Sequence, residues 1–295
     1  MLKHFKYINF ARLKKILFMI NFNGQLLNSE DVKLSSENRA FKYGDAIFET
    51  VKVMHKKVVF WEDHYFRLMA SMRMLRMKIP LEFTLEFLEQ EILKTVATLE
   101  DANTCRVRLN IFRKDGGLYT PKTNKIDYTI EASESSYQTK EKYSLDVYKD
   151  FYNFSGLLST IKTNNRMLNT LASIFADEND VDNCILLNEK KGVVEVTNGN
   201  IFIVKGNVIK TPALTEGCIK GVTRNKVIEI ISKNKDFTLE ETSISPFEIQ
   251  KADEVFITNA IIGVQPVTSY KKKTFITELG SKIAGNLKVL QITGV

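Results

Sequence analysis

Ile161-Lys162-Thr163-Asn164-Asn165-Arg166 opens a stretch that closes on Val194-Glu195-Val196-Thr197-Asn198-Gly199-Asn200-Ile201-Phe202. Between these ends, Leu168, Leu171, Ala172 and Phe175 recur at helical spacing and predict a helix after the lysine. Cys184–Leu187 is a short apolar run, and Val193–Val196 and Ile201–Val204 predict two further short strands. A lysine ahead of a helix and a glutamate among valines thus stand 33 positions apart. Nothing in the spacing alone gives the two charges a shared purpose.

Outward from this stretch the chain mixes strands and helices without strict alternation. On the N-terminal side, Ile20–Gln25 reads as a strand broken by an Asn23-Gly24 turn. Ala46–Val53 alternates apolar and polar residues and pairs, through His55-Lys56-Lys57, with Val58–Trp61. Tyr65, Leu68, Met69, Met72, Leu75 and Ile79 predict a helix that runs until Pro80, and Thr84–Leu99 predicts another. Strands follow at Arg106–Phe112 and Asp127–Ala132, with a loop over 113–124. On the C-terminal side, Ser144–Tyr148, Val208–Lys210 and Glu254–Thr258 predict strands, and Arg224–Lys233 and Thr277–Leu290 predict helices. The expected class is α+β. The polar segment Ser133–Lys142 holds one large apolar residue, Tyr137, and marks a boundary. The expected division is a small α+β domain over 19–134, a linker over 135–142 and a larger domain over 143–295.

Composition narrows the function classes. The chain has 295 residues, 44% hydrophobic and 26% charged, which suits a water-soluble protein with one large or two smaller cores. No apolar run reaches the roughly 18 residues that a membrane span needs. Three cysteines without CxxC or CxxH spacing, and three histidines, leave no metal site or disulfide framework and point to the cytoplasm. The net charge of +7 is mostly local: residues 1–18 carry Lys3, Lys6, Arg12, Lys14 and Lys15 with no acid, which leaves 37 basic against 35 acidic residues. A basic face for nucleic acid is therefore not expected. The leader 1–18 is open to three readings: a targeting peptide, a disordered tail, or sequence upstream of a start at Met19. GxGxxG, P-loop, HExxH and GxSxG motifs are absent.

Six blocks in order carry a resemblance. They are Tyr43–Thr50, His64–Leu68, Ile161-Lys162 with Asn165-Arg166, Glu195 with Asn200-Ile201-Phe202, Gly221–Arg224, and Asn259-Ala260 with Pro266-Val267. Together they resemble the fold-type IV pyridoxal-phosphate enzymes, which include branched-chain and D-amino-acid aminotransferases and 4-amino-4-deoxychorismate lyases. The resemblance covers the chain from Met19 almost to its end. It implies two α/β domains with a pyridoxal 5'-phosphate site between them, a small-molecule amino substrate and a homodimer.

Carried over by position, the resemblance assigns Lys162 the covalent attachment to the cofactor aldehyde and then the movement of the substrate α-proton. A lysine amine must be neutral for both tasks, and burial beside a cation favours that form. Glu195 would pair with the pyridinium nitrogen and keep the ring protonated. Arg67 would bind the phosphate in a planar fork, with Val222 and Thr223 at a helix N-terminus and the Asn259-Ala260 turn completing the anion site. Ile219 would pack on the ring face, or serve as simple core. Tyr43 and Arg113 are the candidates for substrate contact.

Lyase and aminotransferase share these residues and part only after the α-proton has left. Asn259-Ala260 resembles the lyases, whereas branched-chain aminotransferases typically have Gly-Thr there and a tyrosine where this chain has Met167. Arg113–Tyr119 resembles a lyase loop but is one residue shorter, with Leu118 where Arg-Gly would stand. The expected activity is release of pyruvate and p-aminobenzoate from 4-amino-4-deoxychorismate, a step of folate biosynthesis. The alternatives are an aminotransferase acting with 2-oxoglutarate on branched-chain or D-amino acids, and a relative that has lost catalysis and only binds.

Overall fold

In the computed structural model, residues 18–100 and 102–293 are described; all but the last residue of the basic leader lies outside them. The protein is α+β, as expected. Its first half builds one antiparallel sheet from β1 (Met19–Phe22), β2 (Gln25–Asn28), β3 (Ala46–Met54), β4 (Lys57–Val58), β5 (Thr104–Arg113) and β6 (Ile126–Glu134). The strand order is β2-β1-β6-β5-β3-β4. Asn23 and Gly24 adopt positive φ at the β1–β2 turn, and His55 and Lys56 do so at the β3–β4 turn, which gives tight hairpins. Alternation along β3 and β5 sends Val51, Val53, Val107, Leu109 and Ile111 into a core with Leu68 and Met72 of α2 (Trp61–Met74, preceded by α1, Arg39–Tyr43) and Leu88 and Ile92 of α3 (Leu85–Val96). Each such side chain contributes about 1.5–3 kcal/mol through burial.

Helix α2 ends five residues before the expected stop at Pro80. Arg76 takes φ 55°, the Met77 amide bonds the Met72 carbonyl at 2.9 Å and the Arg76 amide bonds Arg73. That left-handed cap ends the helix and lets Met77 turn into the core.

The second half contains α4 (Met167–Glu178), α5 (Val222–Ser232), α6 (Pro246–Lys251) and α7 (Glu278–Thr293) around two mixed sheets. One sheet joins β7 (Ser144–Val147), β8 (Asn183–Leu187) and β9 (Val193–Val196) to β15 (Ser269–Tyr270) and β16 (Lys273–Thr274). The other orders β12 (Thr238–Thr242), β11 (Val208–Pro212), β10 (Asn200–Lys205), β13 (Glu254–Asn259) and β14 (Gly263–Val267). No helix among the described residues is long and apolar enough to cross a membrane.

One irregular segment ties the halves together. Strand β4 covers only Val53 and Met54 of β3, so the N-terminal half of β3 is an open edge. The segment around Lys162 fills it: the Phe48 amide bonds the Lys162 carbonyl, and the Asn164 amide bonds the Ala46 carbonyl, both at 2.9 Å. The face of β3 and β5 away from α2 and α3 carries Phe48, Thr50, Arg106 and Arg108, and becomes one wall of a cavity.

Candidate active site

A cavity of about 460 Å³ opens between that wall and the second half of the chain. Lys162, Arg67, Glu195, Ile219, Val222, Thr223, Asn259 and Ala260 all line it. Its remaining lining includes His64, Arg106, Arg108, Arg166, Asn200 and Thr258.

Lys162 is placed by the β3 pairing, and its Nζ lies 4.3 Å from the centroid of the Phe48 ring. Burial, with the positive charges of Arg67 and Arg166, brings its pKa down to about 7, against the opposing pull of Glu49 and Glu195. A substantial neutral fraction is therefore present at neutral pH. Arg166 cannot swing away from this segment, because Nε donates to the Thr163 carbonyl at 2.9 Å and Nη2 to the Ile161 carbonyl at 2.8 Å.

Glu195 projects from β9 and is buried. Its Oε2 accepts the Ile219 amide at 3.0 Å. Burial pushes its pKa upward, and the Ile219 amide, Arg166 and Lys162 pull it back. A buried carboxylate with one amide donor still has acceptor capacity for a cationic ring N–H.

The other end of the cavity suits an anion. Helix α5 starts at Gly221 without any side-chain cap, so its first amides point outward with the positive end of the helix dipole. Gly221 is required: a Cβ there would lie 2.1 Å from Asn200 Oδ1, and Asn200 Nδ2 holds the preceding Ile219 carbonyl at 2.9 Å. Asn259 Oδ1 accepts from the Ile261 and Ile262 amides at 3.0 and 2.9 Å, which folds the turn beside α5. Thr258 Oγ1 is fully buried at the cavity and has no hydrogen-bond partner. Such an orphaned hydroxyl is costly unless a ligand completes it.

Tyr43 and Arg113 are not brought to this cavity within one chain. Both line a second hollow of about 530 Å³, beside Arg39, Asp45 and Tyr119. Arg113 is consumed there: Nε bonds Asp45 Oδ2 at 2.9 Å, Nη2 the Leu75 carbonyl at 2.7 Å and Nη1 Asn124 Oδ1 at 2.5 Å. It holds the 113–124 loop rather than offering a free fork to substrate. Sequence reading also passed over Arg106 and Arg108 as ordinary strand residues. Their signal was phase, since they sit two apart on β5, out of step with the buried Cys105, Val107 and Leu109.

The amino-transferase class IV family model matches residues 46–270, a span holding every residue named above as lining the first cavity. The chain belongs to the class IV aminotransferases. Over 93% of this chain and 92% of the other, it is 31% identical to a Methanocaldococcus jannaschii protein assigned as a branched-chain-amino-acid aminotransferase. It is 27% identical to an aminodeoxychorismate lyase of Vibrio harveyi, over 85% and 94% of the two chains. The branched-chain aminotransferase of Thermoproteus uzoniensis has the same fold, with TM-score 0.85 and 23% identity over 93% and 95% of the two chains.

Class IV enzymes use pyridoxal 5'-phosphate. The class IV cavity of this chain fits that group chemically: a neutral-capable amine, a buried carboxylate, and an uncapped helix start with an unpartnered threonine hydroxyl for the phosphate. Arg67 has Nε and one Nη2 N–H on Glu49 and one Nη1 N–H on the Lys220 carbonyl. Of its five donors, one on each Nη remains for an anion.

Proposed function

We propose that this chain is a pyridoxal-phosphate enzyme that removes the α-proton of an amino substrate carrying more than one carboxylate, and that it works as a 4-amino-4-deoxychorismate lyase. The carrying observation is the ring of Arg106, Arg108 and Arg166 around the same cavity as a Lys162 whose pKa is about 7. Three guanidinium groups suit a dicarboxylate, while burial, with the charges of Arg67 and Arg166, leaves Lys162 uncharged enough to act as a base.

In this reading Lys162 would hold the cofactor and, as a neutral amine, would accept the substrate α-proton at Nζ. Glu195 would pair with the ring nitrogen, and Arg67, Val222, Thr223, Thr258 and the Asn259-Ala260 turn would hold the phosphate. Ile219 packs on the ring. The bound cofactor supplies an electron sink for the pair left by the α-proton. The C–O bond to the enolpyruvyl group would then break as that pair completes the aromatic ring, and the proton held on Lys162 would go to the departing enolpyruvate, giving pyruvate and p-aminobenzoate with no added keto acid. The Asn259-Ala260 turn supports the lyase outcome.

A second reading, an aminotransferase using 2-oxoglutarate, is favoured by the 31% identity to the Methanocaldococcus jannaschii protein. The same arginines would hold a dicarboxylate keto acid. Both readings place the enzyme in the cytoplasm as a homodimer; exposed Phe151, Phe154, Leu157 and Leu158 give an apolar surface for a second copy.

The deciding experiment incubates the holoenzyme with 4-amino-4-deoxychorismate alone. Release of pyruvate and p-aminobenzoate supports the lyase. Turnover that requires 2-oxoglutarate and an amino donor replaces it with the aminotransferase, and a wild type that takes up no cofactor removes both.

A further inference from the structure

Glu49 takes no part in the proton transfer just described, yet it is buried to 1% exposure directly beside the site. It follows Phe48 on β3 and turns to the opposite face, towards α2. Oε1 accepts Arg67 Nε at 2.8 Å; Oε2 accepts Arg67 Nη2 at 2.5 Å and bonds His64 Nδ1 at 2.8 Å. Burial would push this carboxyl up, but the charge of Arg67 and the bonds from His64 and Arg67 outweigh it and bring the pKa to about 2. Glu49 is thus ionised at any working pH, accepts only, and fixes the His64 proton on Nδ1.

Stability alone does not account for such a group. A buried ion pair gains little over well-packed apolar residues, because desolvating two charges offsets their attraction. What it supplies here is direction. The side-on grip of Glu49 consumes one edge of the guanidinium and the Lys220 carbonyl consumes part of the other. The two N–H groups that remain are held in one orientation, and this anchor spans both halves of the chain, from β3 through α2 to the residue before Gly221.

We propose that Glu49, steadied by His64, is a positioning residue that presents the spare N–H groups of Arg67 to the cofactor phosphate. The proposal rests on the reading of Arg67 given above, and it makes Glu49 responsible for phosphate recognition without touching the phosphate.

Binding of pyridoxal 5'-phosphate and of pyridoxal, which lacks the phosphate, is measured by visible absorbance for wild type, Glu49→Gln, Arg67→Gln and the double variant. Glu49→Gln is expected to weaken pyridoxal 5'-phosphate about tenfold or more, the loss due to one misaligned charged hydrogen-bond pair. Pyridoxal binding should change less than about twofold, within the scatter of a surface-like effect. The double variant should bind no worse than Arg67→Gln alone, since Glu49 acts through Arg67. Equal weakening of both ligands, or additive losses in the double variant, reduces Glu49 to a structural role and overturns the proposal. Should Glu49→Gln not fold, His64→Gln replaces it, with the same selective loss expected at about threefold for one neutral-side support removed; an unchanged ratio of the two affinities overturns the proposal. A wild type that binds neither ligand strikes the underlying reading instead, so the two failures are distinguishable.

Discussion

Glu195 and Ile219 are joined by a 3.0 Å hydrogen bond in which the backbone of one cavity-lining residue supports the carboxylate of another. The bond anchors Glu195 while leaving acceptor sites open, and it fixes the backbone three residues before α5 begins at Val222. Glu195→Gln keeps the shape and the bond but removes the charge that would hold the ring nitrogen protonated. Turnover of the holoenzyme is expected to fall by about 10²–10³-fold, the scale for losing one preorganised electrostatic group. Cofactor affinity should fall much less. Wild-type turnover in this variant would exclude Glu195 from the ring nitrogen.

Thr258 gives a prediction with opposite signs in the free and bound states. Its hydroxyl is buried without a partner. Thr258→Val removes an unsatisfied polar atom, so the cofactor-free protein should be unchanged or up to about 1 kcal/mol more stable. If the hydroxyl donates to the phosphate, pyridoxal 5'-phosphate should bind about five- to tenfold more weakly. Denaturant midpoints and absorbance titrations test the two halves. Unaltered cofactor affinity would take Thr258 out of the anion site.

How much of this was legible in the sequence differs by element. Strands β3 and β5 and helix α3 carry clear periodicity, and α3 begins where expected, with Thr84 as its N-cap accepting the Phe87 amide. The end of α2 was not legible, because a left-handed arginine cap leaves the apolar spacing of Met77 and Ile79 looking helical. Strand β12, whose side chains are mostly exposed, and helix α6, only six residues long, carry too little pattern to announce themselves. Seven of the eight cofactor-site residues came from ordered blocks, Ile219 being placed only by its position before the Gly221 block, and no local pattern joins residues so far apart in the chain. Arg113 shows the limit of that transfer: its place in a matching loop said nothing of Asp45 and Asn124, which occupy it.

That loop has its own anchor. Arg39 is buried, pairs with Asp45 at 2.9 Å and donates Nη1 to the Leu118 carbonyl at 2.6 Å. Arg39→Ala leaves the Leu118 carbonyl and part of the Asp45 charge without a partner and should cost about 3 kcal/mol. The urea midpoint should drop accordingly, and limited proteolysis should cut first within 113–121. An unaltered midpoint with an intact loop would show that Arg113 alone holds it.

Arg108 faces the cavity, stacks over the Phe48 ring at 3.7 Å and donates to Asn164 Oδ1 at 3.3 Å. If it holds a substrate carboxylate, Arg108→Met, which keeps the apolar stem, should raise KM about tenfold or more while kcat changes less. The KM of wild type should also rise with salt, and that dependence should weaken in the variant. A fall confined to kcat would instead assign Arg108 to the reacting centre.

The low pKa of Lys162 carries a stability cost whose sign can be worked out. An unfolded lysine titrates near 10.5, and this one folds with a pKa of about 7. Below pH 7 both states hold the proton, so the folded protein bears the full cost of a buried charge. Between about pH 7 and 10.5 the unfolded chain binds more protons, and stability must rise with pH. Lys162→Met, similar in volume and uncharged, removes that cost. The cofactor-free variant should therefore be more stable than wild type at pH 6, with the gap narrowing as pH climbs towards 10. Paired denaturant midpoints across that range provide the measurement, and other titrating groups cancel in the difference. A gap that does not vary with pH would mean that Lys162 is charged throughout, and with it would go the neutral amine on which the proposed chemistry depends.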